Sequence, residues 1–433
     1  MSIPIGDVGD VSGTVLGVRL MPCSHSGVII LGAGLAGACT ALELAQRGLD
    51  VTLVDRDERA LNRASLRNEG KIHLGLVYAN DPSMATGSLQ LRGALRFRQL
   101  LERWLGDAVA GIGISTPFAY LVASDSLLST RELAAYYARL DAKYQSELAA
   151  NPELDYLGTK PERLASEASW AGLDRHFDAE HFQGAYQTAE RAVDTSQLAH
   201  AFRAALAEHP RIRFLPGRTV KEVEERNGLL QVRGTSAAGS WEMAAEHVVN
   251  ATWESRLALD RHFGIEVAEG WLYRLKYRVI ARLPASMQGA PSVTMVIGRY
   301  GDVVVRPSGT AYLSWYPACL QGWTHDIAAP ESWDAACRGE VAERSAAEIA
   351  RETIDSIARW YPGVRDSRPE VVDAGVIVAY GKTDVDTPDS GLHDRTRVGV
   401  HSAGRFHSVD PGKLTTAPLF AMVAADRVTE SLG

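Results

Sequence analysis

The stretch Val28-Ile29-Ile30-Leu31-Gly32-Ala33-Gly34-Leu35-Ala36-Gly37 decides the fold of this chain. It predicts an apolar strand, a glycine-rich turn and a helix over 36–47. A second apolar strand is predicted over 51–54 and ends at an acidic residue, Asp55. A strand, a turn, a helix and a second strand in this order are typical of a unit that binds a dinucleotide.

Each glycine of the turn has a separate mechanical role. Gly32 allows the tight turn out of the strand, Gly34 lets a pyrophosphate approach the backbone, and Gly37 lets the helix pack closely on the sheet. The backbone N–H groups at the start of the helix, around Leu35 and Ala36, then face the phosphates together with the positive end of the helix dipole.

The carboxylate after the second strand predicts which dinucleotide is bound. Asp55 lies 18 residues after Gly37, where a carboxylate accepts hydrogen bonds from both ribose hydroxyls. A 2′-phosphate would be repelled there, so the sequence disfavours NADP.

Composition limits the classes of protein to consider. The 433 residues contain 45 Lys and Arg against 53 Asp and Glu, a formal charge of −8, and no basic stretch is interleaved with aromatic residues. Nucleic acid is therefore not an expected partner. The four cysteines show no CxxC or metal-ligand spacing, so we predict no metal site and a cytoplasmic location. No apolar run approaches the roughly 18–20 residues that span a bilayer.

Three segments together resemble the FAD-dependent oxidoreductases of the D-amino-acid oxidase superfamily, from about residue 27 to the end. The first segment is the glycine motif with Asp55. The second runs from Glu190 through Val220 to the strand Val248-Val249-Asn250-Ala251-Thr252. The third is Gly404 to Pro418, which is similar to the glycine-rich closing loop of that family. The resemblance implies FAD as the cofactor.

The resemblance and the order of predicted elements imply an α/β fold, with a Rossmann-like FAD-binding domain interleaved with an antiparallel-sheet α+β substrate domain. Alternating residues over 271–319 predict the antiparallel sheet, and a long helix is predicted over 333–360. No continuous apolar segment follows Arg19, so a secretory signal is not expected. The predicted segments are a flexible extension over 1–26, the FAD-binding domain over 27–95, 190–258 and 365–433, and the substrate domain over 96–189 and 259–364.

The closing loop is expected to run past the flavin ring, and the helix after it to direct its N-terminus at the pyrimidine carbonyl. Arg405 and His407 in this loop are predicted to be catalytic, because a cation near flavin N1 favours the reduced ring. Lys413 is a rival for that role. One departure from the family is Trp253, where a glycine usually follows the Ala-Thr pair.

The run Arg67-Asn68-Glu69-Gly70-Lys71-Ile72-His73 is similar to a segment of L-2-hydroxyglutarate dehydrogenases in the same superfamily. The resemblance implies that this loop lies beside the isoalloxazine. His73 is then a predicted catalytic base or substrate hydrogen-bond donor, with a packed structural histidine and a covalent flavin link as the alternatives. The residues assigned to cofactor binding are Gly32, Gly34, Leu35, Ala36, Gly37, Asp55, Arg56, Arg67, Asn68, Gly70, Ile72, Val220, Thr252, Gly404, Gly412, Lys413, Leu414 and Thr415.

The predicted antiparallel sheet carries arginines and tyrosines that would clamp a substrate carboxylate. For any one of these arginines the alternative is exposure to solvent, because long charged side chains usually lie at the surface. The candidates are Arg274, Lys276, Tyr277, Arg278, Arg306, Tyr312, Trp315 and Tyr316.

The expected activity is oxidation of a C–N bond of a small amine or amino acid, with hydride transfer to flavin N5 and a separate electron acceptor such as oxygen. The alternative is a 2-hydroxy-acid dehydrogenase or oxidase, which needs a base such as His73 to take the hydroxyl proton. A third hypothesis, from another class, is a flavin-binding interaction protein without turnover.

Overall fold

The computed structural model describes residues 24–170, 173–383, 387, 390–392 and 394–432. The predicted extension over 1–26 therefore lies outside the described residues, except for its last three positions, which begin the first strand. Within the described ranges, no helix is long and apolar enough to cross a bilayer.

The described chain begins with the predicted order of strand, helix and strand, and longer runs of strands follow. The strands are β1 (Ser24–Leu31), β2 (Val51–Val54), β3 (Lys71–Ile72), β4 (Phe118–Ala123), β5 (Ala165–Glu167), β6 (Phe182–Thr188), β7 (Arg191–Ala192), β8 (Ile212–Leu215), β9 (Arg218–Arg226), β10 (Leu229–Ser236), β11 (Gly239–Asn250), β12 (Trp271–Arg282), β13 (Ser292–Val296), β14 (Gly301–Val305), β15 (Thr310–Trp315), β16 (Leu320–Thr324), β17 (Arg368–Tyr380), β18 (Gly399–Ala403) and β19 (Phe406–Asp410). The helices are α1 (Leu35–Gln46), α2 (Ala85–Leu105), α3 (Thr130–Ala150), α4 (Thr195–Glu208), α5 (Arg256–His262), α6 (Tyr316–Cys319), α7 (Asp334–Arg338), α8 (Glu343–Ile357) and α9 (Ala417–Glu430).

The first sheet is the nucleotide-binding one, with strand order β18-β19-β11-β1-β2-β8 and with β10 and β9 added beside β11. Its centre is parallel, since β1 pairs in parallel with β2 and β11, and β11 with β19. Val28 to Leu31 are fully buried, as expected for a parallel strand covered on both faces. The parallel strands end at one edge, where ligands bind in open α/β sheets.

Two glycines fix the turn between β1 and α1. Gly32 has φ +92°, a left-handed conformation that favours glycine. A Cβ on Gly37 would overlap the carbonyl oxygen of Gly32. The helix therefore reaches the sheet only because both positions lack side chains.

The second sheet has strand order β16-β12-β15-β14-β13-β4-β6-β5, with β17 paired to β12. Its pairs are antiparallel except β13 with β4. The α/β fold, with a parallel sheet interleaved with an antiparallel one, is confirmed. Strand β17 pairs with β12 over nearly its whole length. Arg368–Tyr380 therefore lies in the antiparallel sheet, although the predicted last segment of the FAD-binding domain, 365–433, includes it.

The prediction of one long helix over 333–360 is wrong. The chain forms α7 and then α8, and Gly339 between them has φ +93°, which ends α7. In the sequence, apolar residues continue on both sides of Gly339, so their spacing did not separate α7 from α8.

Candidate functional site

A long cavity opens at the carboxyl edge of the first sheet and continues to the second sheet. Its wall is built by the β1–α1 turn, the segment after β2, the loop 67–73, the end of β11, the strand β12 and the loop before α9. Most of the residues assigned to cofactor binding are brought together here. They are Gly32, Gly34, Leu35, Ala36, Asp55, Arg56, Arg67, Asn68, Val220, Thr252, Gly412, Lys413 and Leu414, and His73 joins them.

The phosphate end of the cavity is the N-terminus of α1. Gly34 is the N-cap residue of this helix, whose first backbone N–H groups have no partner inside the helix. Leu35 donates its N–H to Ser65 Oγ at 2.8 Å, so the loop after β2 is tied to this end. Ser65 was not predicted to lie here, because its position depends on how that loop folds back.

Asp55 is held in place by backbone donors. Its carboxylate accepts N–H bonds from Ala33 at 2.6 Å and from Asp57 at 2.8 Å. Burial raises the pKa of Asp55, and these two donors oppose the rise. Each carboxylate oxygen has a second lone pair, so the group retains acceptor capacity toward a ribose.

Arginines and a glutamate surround the same end. Glu254 pairs with Arg56 and, at 3.1 Å, with Arg63, while Arg63 also pairs with Asp57 at 2.9 Å. Arg63 and Glu254 were not predicted, because the pairing depends on contacts between segments that are 191 residues apart in the chain.

Trp253 lies in the cavity wall with φ +55°. A positive φ is easiest for glycine, which explains why the family usually has glycine at this position. The indole N–H donates to the carbonyl of Val376 at 2.8 Å, which anchors the ring on β17.

The loop 67–73 owes its shape to Asn68 and Gly70. Asn68 donates to the carbonyl of Ala64 at 2.7 Å and accepts the N–H of Gly70 at 2.7 Å. Gly70 has φ +76°, and a Cβ there would overlap the carbonyl oxygen of Val193. Gly70 and the fully buried Ile72 stand behind the cavity wall rather than in it, so their contribution is to the shape of the loop.

His73 lies between two carboxylates. Its Nε2 is 3.7 Å from Glu69 and its Nδ1 is 3.8 Å from Glu190, and its backbone N–H donates to Thr415 Oγ1 at 2.8 Å. Burial lowers the pKa of His73 despite the two carboxylates, so the imidazole is neutral at pH 7. Thr415, assigned to cofactor binding, supports the wall through this bond instead of lining the cavity.

Cations from three segments meet at the far end of the cavity. Arg274 donates to the hydroxyl of Tyr316, and Lys276 lies 5.2 Å from the Tyr316 ring centre. These two residues are two apart on β12 and so share one face. Lys413 and Arg395 complete the group; Arg395 was not predicted, because it lies in a polar segment without periodicity.

The predicted clamp residues separate into two sets. Arg274, Lys276, Tyr312 and Tyr316 line the cavity. Arg278 instead pairs with Asp373 at 2.6 Å. The remaining candidates, Tyr277, Arg306 and Trp315, also lie outside the lining.

Burial and neighbouring charges in the cavity shift the pKa values of Lys413 and Glu69. Burial lowers the pKa of Lys413 to about 8, helped by Arg395, Lys276 and Arg274 and opposed by Glu69. Burial by itself would raise the pKa of Glu69, but His73, Lys413 and Lys276 lower it well below its usual value. Glu69 is therefore a carboxylate at neutral pH.

Three predictions about the closing loop are wrong. Gly404, Arg405 and His407 lie at the opposite edge of the first sheet, because β19 runs parallel to β11 and the chain reaches the cavity only after the end of β19, from Pro411 to Leu414. Arg405 pairs with Glu225 at 3.0 Å, so its charge is used in an ion pair at the protein surface. His407 stacks on His247 with ring centres 5.5 Å apart.

The residues present fit FAD. One continuous cavity joins a helix N-terminus suited to a diphosphate, a buried acceptor suited to a ribose, and a cationic end suited to an anionic pyrimidine. The turn at Gly34 has no space to spare for a side chain, since a Cβ there would lie 3.2 Å from Ser65 Oγ.

The chain belongs to the DAO family of FAD-dependent oxidoreductases, which matches residues 27–427. This confirms the family resemblance and FAD as the cofactor of the enzyme class. The structure is similar to that of glycine oxidase from Geobacillus kaustophilus, with a TM-score of 0.63, 16% identity and coverage of 94% of this chain and 95% of the other. At that identity the likeness concerns the fold.

Two curated relatives show how far the similarity extends. A D-amino acid dehydrogenase of Rhizobium rhizogenes is 25% identical over 378 residues, covering 79% of this chain and 86% of the relative. The tRNA 5-methylaminomethyl-2-thiouridine biosynthesis bifunctional protein of Burkholderia cenocepacia is 29% identical over 272 residues, 63% of this chain. The match spans 38% of that relative's length.

Proposed function

We propose that this oxidoreductase oxidises the C–N bond of a small amine that carries a carboxylate, as an amino acid does. The observation that supports the proposal is the meeting of opposite charges in one cavity. In the loop 67–73 the carboxylate of Glu69 lies 3.7 Å from His73 Nε2, and Arg274 and Lys276 line the same cavity. An amino acid that has lost its ammonium proton to solvent places its amine N–H groups against the carboxylate and its own carboxylate against the cations.

The chain's own groups bind and orient the substrate. Arg274, held by the Tyr316 hydroxyl, offers a planar fork to the carboxylate, and Glu69 accepts hydrogen bonds from the amine. An amine bound as the neutral base needs no strong general base. FAD, when bound, supplies the acceptor for the hydride.

Anaerobic mixing with amino acids and with secondary amines that carry a carboxylate tests the proposal. We expect loss of the oxidised flavin absorbance at about 450 nm. Arg274→Gln should raise KM for the carboxylate-bearing amine by about a hundredfold, the range for truncating one partner of a buried charge pair.

Arg282→Gln on the same strand, where the side chain is 48% exposed and pairs with Glu370, is the matched control and should leave KM unchanged. Reduction by no amine at all, in a protein that retains FAD, would rule out the proposed reaction. If 2-hydroxy acids also fail to reduce the flavin, the result would favour the flavin-binding protein without turnover.

A second candidate, oxidation of a 2-hydroxy acid, is favoured by one observation. His73 is buried, neutral at pH 7 and placed between Glu69 and Glu190, the arrangement that a general base for a hydroxyl requires. Reduction by hydroxy acids that disappears in His73→Ala, with FAD content unchanged, would establish this reaction. A normal rate in His73→Ala would remove the imidazole from the mechanism.

A further inference from the structure

Arg395 has an unusual position for an arginine. Its residue is only 5% exposed and lies in the cavity wall. Its Nη1 donates to the carbonyl of Val378 at 3.1 Å, and its backbone N–H donates to Thr86 Oγ1 at 3.0 Å. Its Nε has no hydrogen-bond partner, and no carboxylate of the described ranges pairs with its guanidinium. The side chain is therefore anchored, but its charge is not matched.

Among the described residues, the charges that influence Arg395 do not supply a counter-ion. Asp410 is one of them, but it already pairs with Arg256 at 2.7 Å and accepts the N–H of Gly412 at 2.9 Å. Arg274 and Lys413, which also interact with Arg395, are cations. A buried guanidinium without a partner is unfavourable, so an anion brought by a ligand would offset the cost.

The register of β12 and β17 places Arg395 beside Arg274. Arg274 pairs with Ile377, and the next residue, Val378, accepts from Arg395. Both arginines line the cavity and the charge of Arg274 acts on Arg395, so the two anchored guanidinium groups are neighbours. A short substrate can reach both.

We propose that the substrate carries a second anionic group, which Arg395 binds, so that the substrate class is a short dicarboxylic amine or amino acid. This proposal rests on the amine oxidation proposed above. The diphosphate of FAD is expected at α1, at the other end of the cavity, whereas Arg395 lies near Tyr78, Arg274 and Tyr316. The second anion therefore belongs to the substrate end.

Ligand titrations of the FAD-loaded protein test the second anion site without turnover. The flavin absorbance reports binding of malonate, succinate and glutarate against propionate, butyrate and pentanoate, each pair matched in carbon number. We expect the best dicarboxylate to bind about tenfold or more tightly than its partner, the range for one charge-assisted hydrogen bond. Arg395→Gln should remove this preference, because it should weaken binding of the dicarboxylate far more than binding of the monocarboxylate.

Arg397→Gln is the matched control, because Arg397 is exposed and lies over the Tyr380 ring at 4.0 Å. It should keep the preference for dicarboxylates. Arg395→Lys, which keeps the charge, should restore part of it if Arg395→Gln folds poorly.

Equal affinities within each pair in the unsubstituted protein would overturn the proposal, as would equal losses for both ligands in Arg395→Gln. Loss of FAD from that variant would assign Arg395 to the cofactor instead. If dicarboxylates are preferred but no amine reduces the flavin, the proposed reaction fails and the second anion site stands. If amines reduce the flavin and dicarboxylates are not preferred, the proposed reaction stands and the second anion site fails.

Discussion

Lys413 is the side chain through which pH should control binding of anions. Its pKa is lowered to about 8 by burial and by neighbouring cations, so its positive charge is present below pH 8 and is lost as pH rises through that value. We therefore expect the Kd for propionate to rise by up to about tenfold per pH unit above pH 8.

Measuring the Kd from pH 6.5 to pH 9.5 checks this expectation about Lys413. The dependence should vanish in Lys413→Met and persist in Lys382→Met, whose side chain is exposed and outside the cavity. A Kd that is flat across pH 8 in the unsubstituted protein would contradict the expected charge change.

His407 is removed from catalysis by its position, but it should control stability in acid. Burial, followed by His247 and Arg427, lowers its pKa to about 4, below the ordinary value of 6.5. The unfolded chain therefore binds more protons between pH 6.5 and pH 4, and the free energy of unfolding falls as pH falls through that window. We expect a loss of about 2–3 kcal/mol from this residue between pH 7 and pH 4.

Urea unfolding at pH 7, 5.5 and 4.5 measures that loss. His407→Gln should flatten the pH dependence, whereas His401→Gln, an exposed histidine on the same hairpin, should not. An unchanged slope in His407→Gln would show that other groups cause the acid sensitivity.

At the scale of elements, the sequence predicts a strand or a helix correctly where the whole pattern lies within that one element. The apolar run before Gly32 predicted β1. Ser129 is another local signal, since it caps the start of α3, where it accepts the N–H of Glu132 at 3.3 Å and donates in turn to that carboxylate. The closing loop could not be placed in this way. Whether Arg405 or Lys413 reaches the cavity depends on which end of β19 lies beside Asn250, and strand pairing fixes that direction.

The turn between β1 and α1 allows a direct test at this scale. Gly37→Ala places a Cβ against the carbonyl oxygen of Gly32, so α1 has to move away from the sheet. We expect a loss of about 2–3 kcal/mol in the free energy of unfolding and loss of FAD after purification, because the helix N-terminus moves with it. Gly111→Ala is the control, since a Cβ there contacts nothing within 4 Å; equal FAD content in both variants would contradict the packing argument.

At the scale of the whole molecule, the sequence predicts two interleaved sheets but not the contacts between them. The loop 67–73 and the strands β12 and β17 come from distant parts of the chain, and Asp373 joins them. Its carboxylate accepts from Arg278 at 2.6 Å and lies 3.1 Å from Arg67 Nε. Such a pairing has no local signature, because each partner by itself is an ordinary charged residue on a strand or in a loop.

Asp373→Asn should therefore uncouple the loop from the second sheet. The side chains of Arg67, Arg278 and Asp373 are each 5% exposed, and removing the acid leaves two buried guanidinium groups without their counter-ion. We expect a loss of about 3–5 kcal/mol in the free energy of unfolding and weaker FAD binding, followed by flavin fluorescence on dilution. Glu370→Gln on the same strand removes a carboxylate that is 40% exposed and pairs with Arg282, so its cost should stay within about 1 kcal/mol. Similar costs for the two variants would mean that burial of the triad contributes nothing, and that the loop is held by Asn68 and Gly70 alone.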